Sequence, residues 1–168
     1  MVRVDRSLDF AHAAVFGCAV ITGTGAVINT ADLPPRRSVA VVGLGGVGLA
    51  ALLGAKLREA HTIVAVDLSP QKLAIARQLG ATHTFNAADA NVIEAIRDAT
   101  KGGVDFAFEM AGSVKAMDLA YKVTPRGGST VTAGLSHPQA IFSVPHVNIV
   151  AEERTIKGSY LGSCVPSR

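Results

Sequence analysis

The chain is 168 residues long, 49% hydrophobic and only 5% aromatic, which suits one domain with an aliphatic core of Val, Ile, Leu and Ala. Its 16 basic and 13 acidic residues leave a formal charge of +3; the basic residues are scattered, with Arg36-Arg37 the one adjacent pair, so nothing resembles a phosphate-tracking stripe and nucleic acid is not an expected partner. Two cysteines, Cys18 and Cys164, make no disulfide framework, no Cys-x-x-Cys pair encodes a zinc ribbon, and this usage suits a reducing, cytoplasmic compartment.

In chain order, residues 7–31 read as helical, with Ser7 as N-cap and Asp9 in the first turn. Gly17 is expected to interrupt this stretch and leave two helical pieces. Residues 10–28 carry no charge and follow Arg3 and Arg6, which imitates a signal or membrane-spanning segment. Asp9 and His12 spoil that apolar region, and no small-x-small cleavage site follows, so neither export nor insertion is expected. Residues 32–37 form a connector, because Pro34-Pro35 cannot continue a helix.

Strands and helices then alternate. Strands are expected at 38–42, 62–66, 83–86, 104–109, 129–133 and 154–160. Helices are expected at 46–60, from the cap Ser69 with Pro70 in the first position to about Leu79, at 88–100, and at 113–123. Gly80 and Gly102-Gly103 are stops, as are Pro125 and Gly127. This alternation predicts an α/β fold, a doubly wound six-stranded parallel sheet of the Rossmann type in order 3-2-1-4-5-6, preceded by a helical segment. Ligand is then expected at the carboxyl ends of the first and fourth strands, where the order reverses.

The first strand runs into Gly43-Leu44-Gly45-Gly46-Val47-Gly48, and Gly43, Gly45 and Gly48 have G-x-G-x-x-G spacing. Gly43 permits a sharp turn, Gly45 clears the backbone for a pyrophosphate, and Gly48 lets the helix pack close to the sheet. The phosphates would meet free N–H groups at the helix N-terminus. Asp67 follows the second strand, 19 residues past Gly48, where its carboxylate suits the ribose hydroxyls and repels a 2′-phosphate, favouring NAD over NADP. Its alternative role is a helix N-cap, but Ser69-Pro70 is expected to fill that position. Lys72 could reach the ribose or adenine, or be an ordinary solvated lysine. The five histidines have no metal-ligand spacing, and Cys164 reads as structural.

Four blocks, Gly17-Cys18-Ala19-Val20-Ile21-Thr22-Gly23-Thr24-Gly25-Ala26, the glycine turn, Val66-Asp67 with Lys72, and Gly102-Gly103-Val104-Asp105-Phe106-Ala107-Phe108-Glu109, resemble in order and spacing the zinc-dependent alcohol dehydrogenases of the medium-chain family. The resemblance implies residues 35–168 as an NAD-binding domain and residues 1–34 as a helical remnant of its junction with a catalytic domain. It implies Cys18 as one of three protein ligands to catalytic zinc. Thr22 would sit beside the nicotinamide, in the catalytic region, with Val47 on the ring's other side. Leu44, Gly46 and Leu68 join Asp67, Lys72 and the three glycines in the cofactor-binding set. Met110 would lie beside the cofactor, and Ala133, Ser159 and Leu161 would offer backbone groups near the carboxamide.

Such enzymes begin with a mostly β catalytic domain that supplies the other zinc ligands, and the chain is expected to represent roughly half of one. It should bind NAD without turning over an alcohol or aldehyde by itself, and pair as a homodimer around residues 131–160, where the apolar Phe142-Ser143-Val144-Pro145 would cover or join the sheet edge. A non-catalytic NAD-binding or assembly module is the alternative, although it has no need of the Gly-Cys block. An S-adenosylmethionine-dependent methyltransferase shares the glycine turn and acid but not the third glycine.

Overall fold

The computed structural model describes residues 5–165; Arg3 and the closing Pro166-Ser167-Arg168 lie outside them. Six strands, β1 (Ser38–Val42), β2 (Thr62–Asp67), β3 (His83–Asn86), β4 (Phe106–Glu109), β5 (Ser129–Thr132) and β6 (Thr155–Gly158), form one parallel sheet in the order β3-β2-β1-β4-β5-β6. This is the order expected from the alternation of strands and helices. The central strands are continuous apolar runs because both of their faces are covered.

Side-chain alternation along β1 divides the core in two. Val39 and Val41 face Val27 and Leu33 of the N-terminal segment and Ala51, Leu52 and Ala55 of the helix Gly46–Leu57. Ala40 and Val42 face the opposite layer, built from Val92 and Ile96 of Val92–Ala99 and from Leu119 and Ala120 of Val114–Lys122. At the amino-terminal edge, the Asp105 carboxylate accepts from the Ser38 N–H at 2.8 Å and the Ser38 hydroxyl at 2.7 Å. The Asp105 N–H returns a bond to the Ser38 hydroxyl at 2.9 Å, tying β1 to β4 where both begin.

The N-terminal segment departs from expectation in two ways. Its N-cap is Asp9, whose carboxylate accepts from the Ala11 N–H at 2.8 Å, while Ser7 bonds back to Asp5. Gly17 does not interrupt the helix, which runs from Phe10 to Thr30. It instead widens into π-type turns at Phe16–Val20 and Ala26–Thr30. Gly17 faces open space, so its missing side chain weakens the helix without imposing a bend. The helix is long and apolar enough to cross a membrane, but its second half is packed within the fold. A Cβ on Gly23 would run into the Val47 carbonyl oxygen, and one on Gly25 would lie 2.6 Å from Gly162 Cα.

Other boundaries shift by a turn. Residues 88–91 form turns before Val92–Ala99, with the Asn86 side chain accepting the Ala88 N–H at 2.9 Å. A short helix at His146–Ala151 was not expected; its six residues are too few for a readable period. Phe142–Pro145 adds no strand to the sheet, and the Phe142 ring meets Tyr121 edge-on with centroids 5.9 Å apart. Gly80 ends its helix in the left-handed region as expected, at φ 119°.

Candidate functional site

The glycine turn opens where β1 ends. Gly43 has φ 93°, a left-handed value that suits glycine, and a Cβ there would lie 2.7 Å from Ala111 Cβ in the turn after β4. Its N–H donates to the Val66 carbonyl at 2.8 Å, extending the β1–β2 ladder into the turn. Gly48 backs directly onto the Gly43 carbonyl, leaving no room for a side chain. Gly45 is different. A Cβ there would meet nothing within 4 Å, and as N-cap of Gly46–Leu57 it supplies no side-chain cap to the helix. The helix therefore presents its first N–H groups, and their positive dipole end, beneath open space.

Asp67 is tied into the same turn. One carboxylate oxygen accepts the Leu44 N–H at 2.7 Å, and the other accepts the Ser69 N–H at 2.9 Å. Lys72 Nζ stands 3.8 Å away. Asp67 is therefore not left free by Ser69: the Ser69 hydroxyl makes no cap bond to its helix and donates to Gln71 instead. An ionised carboxylate has about four acceptor positions, so these two bonds hold the group and leave it able to accept from hydroxyls. Leu44 thus acts through its backbone link to Asp67, and that N–H is spent.

Gly43, Leu44, Gly45, Asp67, Leu68, Lys72 and Met110 line one cavity of about 440 Å³ over the carboxyl ends of β1, β2 and β4. Ser113, Lys115, Ala116 and Leu119 form its other wall, from the helix after β4. Sequence reasoning missed this wall, although the reversal of strand order between β1 and β4 places the start of that helix opposite the glycine turn. The cavity's bare glycine turn and the carboxylate on its lining fit a dinucleotide.

The remaining expected residues lie beyond this cavity. Thr22 is buried at 8% exposure, next to the Gly23 contact with Val47. A Cβ on Gly46 would touch Ala19 Cβ at 3.3 Å, so the Gly-Cys block runs past the start of the glycine-turn helix. Cys18 on that block is exposed and free. Among the described residues no three His, Cys, Asp or Glu converge to hold a metal ion. Ala133 follows β5, with its N–H donating to the Glu109 carbonyl at 3.0 Å. Ser159 is buried after β6, and its hydroxyl pairs with Thr30 at 2.8 Å. Leu161, Gly162 and Ser163 all have left-handed φ values, of 47°, 64° and 47°. Asn29 holds this turn by donating to the Gly162 carbonyl at 3.0 Å.

Comparison with known proteins adds three kinds of likeness. The family model described as zinc-binding dehydrogenase matches residues 46–168. Alcohol dehydrogenase 1 of Zea luxurians is 41% identical over 169 residues, spanning 99% of this chain and 57% of the relative. The S-(hydroxymethyl)glutathione dehydrogenase of Synechocystis is 40% identical over 139 residues, spanning 81% of this chain and 38% of that one. The crystal structure of benzyl alcohol dehydrogenase from Acinetobacter calcoaceticus superposes with a TM-score of 0.94 at 33% identity, covering 99% of this chain and 46% of that one. The chain thus spans about half the length of the curated relatives it matches.

Proposed function

This chain belongs to the zinc-binding dehydrogenase family, and from that premise we propose that it is the NAD-binding domain of a zinc-type alcohol dehydrogenase. The observation that carries the proposal is the Asp67 carboxylate bonded to the Leu44 N–H of a bare glycine turn, at the edge of a single cavity. Residues 35–168 form the nucleotide-binding unit, and residues 1–34 belong to its junction with a catalytic domain.

NAD supplies a nicotinamide ring able to accept hydride from an alcohol or return it to an aldehyde. The chain's own residues bind and orient. Asp67, with Leu68 beside it, accepts the adenosine ribose hydroxyls, and Lys72 approaches the same sugar. Gly45 and Gly46 let the diphosphate meet the helix N-terminus, with Gly43 and Gly48 holding the turn's shape. Thr22 and Val47 would lie on the two sides of the nicotinamide, Met110 beside the cofactor, and Ala133, Ser159 and Leu161 would offer backbone groups near the carboxamide. Cys18 would supply one ligand to a catalytic zinc, with the remaining ligands drawn from elsewhere in the complete enzyme. The enzyme works in the cytoplasm, which suits two free cysteines.

Calorimetric titration of the chain with NAD and NADP tests the proposal. NAD is expected to bind at least about tenfold more tightly, because a 2′-phosphate would be repelled by the Asp67 carboxylate. Addition of ethanol or benzyl alcohol to the NAD-loaded chain should yield no NADH absorbance. Absence of NAD binding, or equal affinity for the two nucleotides, would refute the assignment.

A further inference from the structure

Glu109 ends β4 at 1% exposure, the most deeply buried carboxylate named among the described core residues. It is not among the cofactor contacts proposed above. Its carboxylate gathers donors from two segments. One oxygen accepts the Ala111 N–H at 2.8 Å and the Gly112 N–H at 2.6 Å, and the other accepts the Thr132 hydroxyl at 2.7 Å. Its main-chain carbonyl takes the N–H groups of Ala133 at 3.0 Å and Gly134 at 3.3 Å. The fit around it is tight: a Cβ on Gly134 would lie 2.6 Å from Glu109 Oε2. Ala111, held by this carboxylate, in turn packs against Gly43 at the start of the glycine turn.

We propose that Glu109 is a positioning residue for the cofactor crevice, its carboxylate fixing the Met110–Gly112 turn and the exit of β5 against the glycine turn. The chemistry favours a carboxylate here. Three donors converge on it, and an ionised carboxylate only accepts. Placing such a group in the core is tolerable because both of its oxygens accept hydrogen bonds. The cavity wall at Met110 and the backbone of Ala133 both inherit their placement from it. This role rests on the NAD-binding function proposed above, but its structural half can be tested without NAD.

The test compares the unaltered chain with Glu109→Ala, Glu109→Gln and Thr132→Val, by NAD calorimetry and by amide hydrogen exchange without nucleotide. Glu109→Ala should weaken NAD binding about tenfold or more, Thr132→Val less, and Glu109→Gln should recover most of the loss because one oxygen still accepts the Ala111 and Gly112 N–H groups. Exchange should quicken at Ala111, Gly112 and Gly43 in Glu109→Ala while β2 stays protected. Unchanged exchange at these amides, or acceleration spread evenly over the sheet, would overturn the proposal. So would an Ala variant that binds NAD like the unaltered chain. Should Glu109→Ala fail to fold, Thr132→Val decides: exchange at Ala111 and Gly112 should quicken by a smaller factor while Glu109→Gln leaves both amides protected, and unchanged exchange in Thr132→Val would overturn the proposal. If the unaltered chain takes up no NAD, the function proposed above fails, and the exchange comparison still judges Glu109.

Discussion

Gly45 and Gly48 belong to one turn but answer to different constraints. At Gly45 a side chain would enter open space, whereas at Gly48 it would be driven into the Gly43 carbonyl. Gly45→Val is therefore expected to fold with a melting temperature close to that of the unaltered chain yet to lose NAD affinity by about tenfold or more, its methyls occupying the diphosphate path. Gly48→Val is expected to cost about 1–3 kcal/mol of stability through overpacking. Thermal melts paired with NAD titration separate the two; parallel losses of stability in both variants would contradict the distinction. G-x-G-x-x-G spacing identifies both positions but does not tell them apart, because what differs is the neighbour each Cβ would meet. Asp67 was equally legible as the acid after the second strand. Its bond to the Leu44 N–H was not, because that contact spans 23 residues of sequence. Glu109 closes the last block of the resemblance, but its role was not legible, since the Thr132 hydroxyl that completes its partners lies 23 residues away on β5.

At the level of elements, the Ser38–Asp105 pair shows how two parallel strands are held in register where neither has a turn to fix it. Burial raises the Asp105 carboxyl's pKa, but bonds from the Ser38 hydroxyl and N–H, and the charge of Arg37, more than offset this and hold it below its ordinary value of 3.8. A carboxyl depressed on folding adds stability that is complete above its unfolded pKa and fades as pH falls through the folded one. Asp105→Asn is expected to lose about 1 kcal/mol at neutral pH. The gap in melting temperature from the unaltered chain should narrow as the pH drops below 3.8. Melts across that range check this, and a gap that stays constant into strong acid would exclude a charge-dependent origin. Helix ends were less legible than helix existence. Asp9 displaced Ser7 as N-cap because Ser7 is taken up by Asp5, a competition between neighbouring side chains that residue preference does not resolve. The helix passed through Gly17 because its later turns are anchored by packing against Val47, Ala51 and Gly162.

At the scale of the whole molecule, β6 pairs only with β5 among the described strands, and Ile156 on it is partly exposed. An unpaired parallel edge invites a second copy, and the homodimer expected from the sequence around residues 131–160 would use it. Sedimentation is expected to give a dimer for the unaltered chain and a monomer for Ile156→Pro, which removes a backbone donor from that strand. A monomer at all concentrations in the unaltered chain would reject the pairing. The sequence by itself determined the strand order, the place of the glycine turn and the acid that closes β2. These follow from local periodicity, turn chemistry and the handedness of parallel crossovers, all of which act over short stretches of chain. Tertiary structure alone decided that the helix after β4 would wall the cavity, that Leu44 would be bound to Asp67, that Asn29 and Thr30 would clasp the turn after β6, and that Glu109 would join β4 to β5. Those contacts join residues far apart in sequence, and each is fixed only once packing has brought the segments to bonding distance.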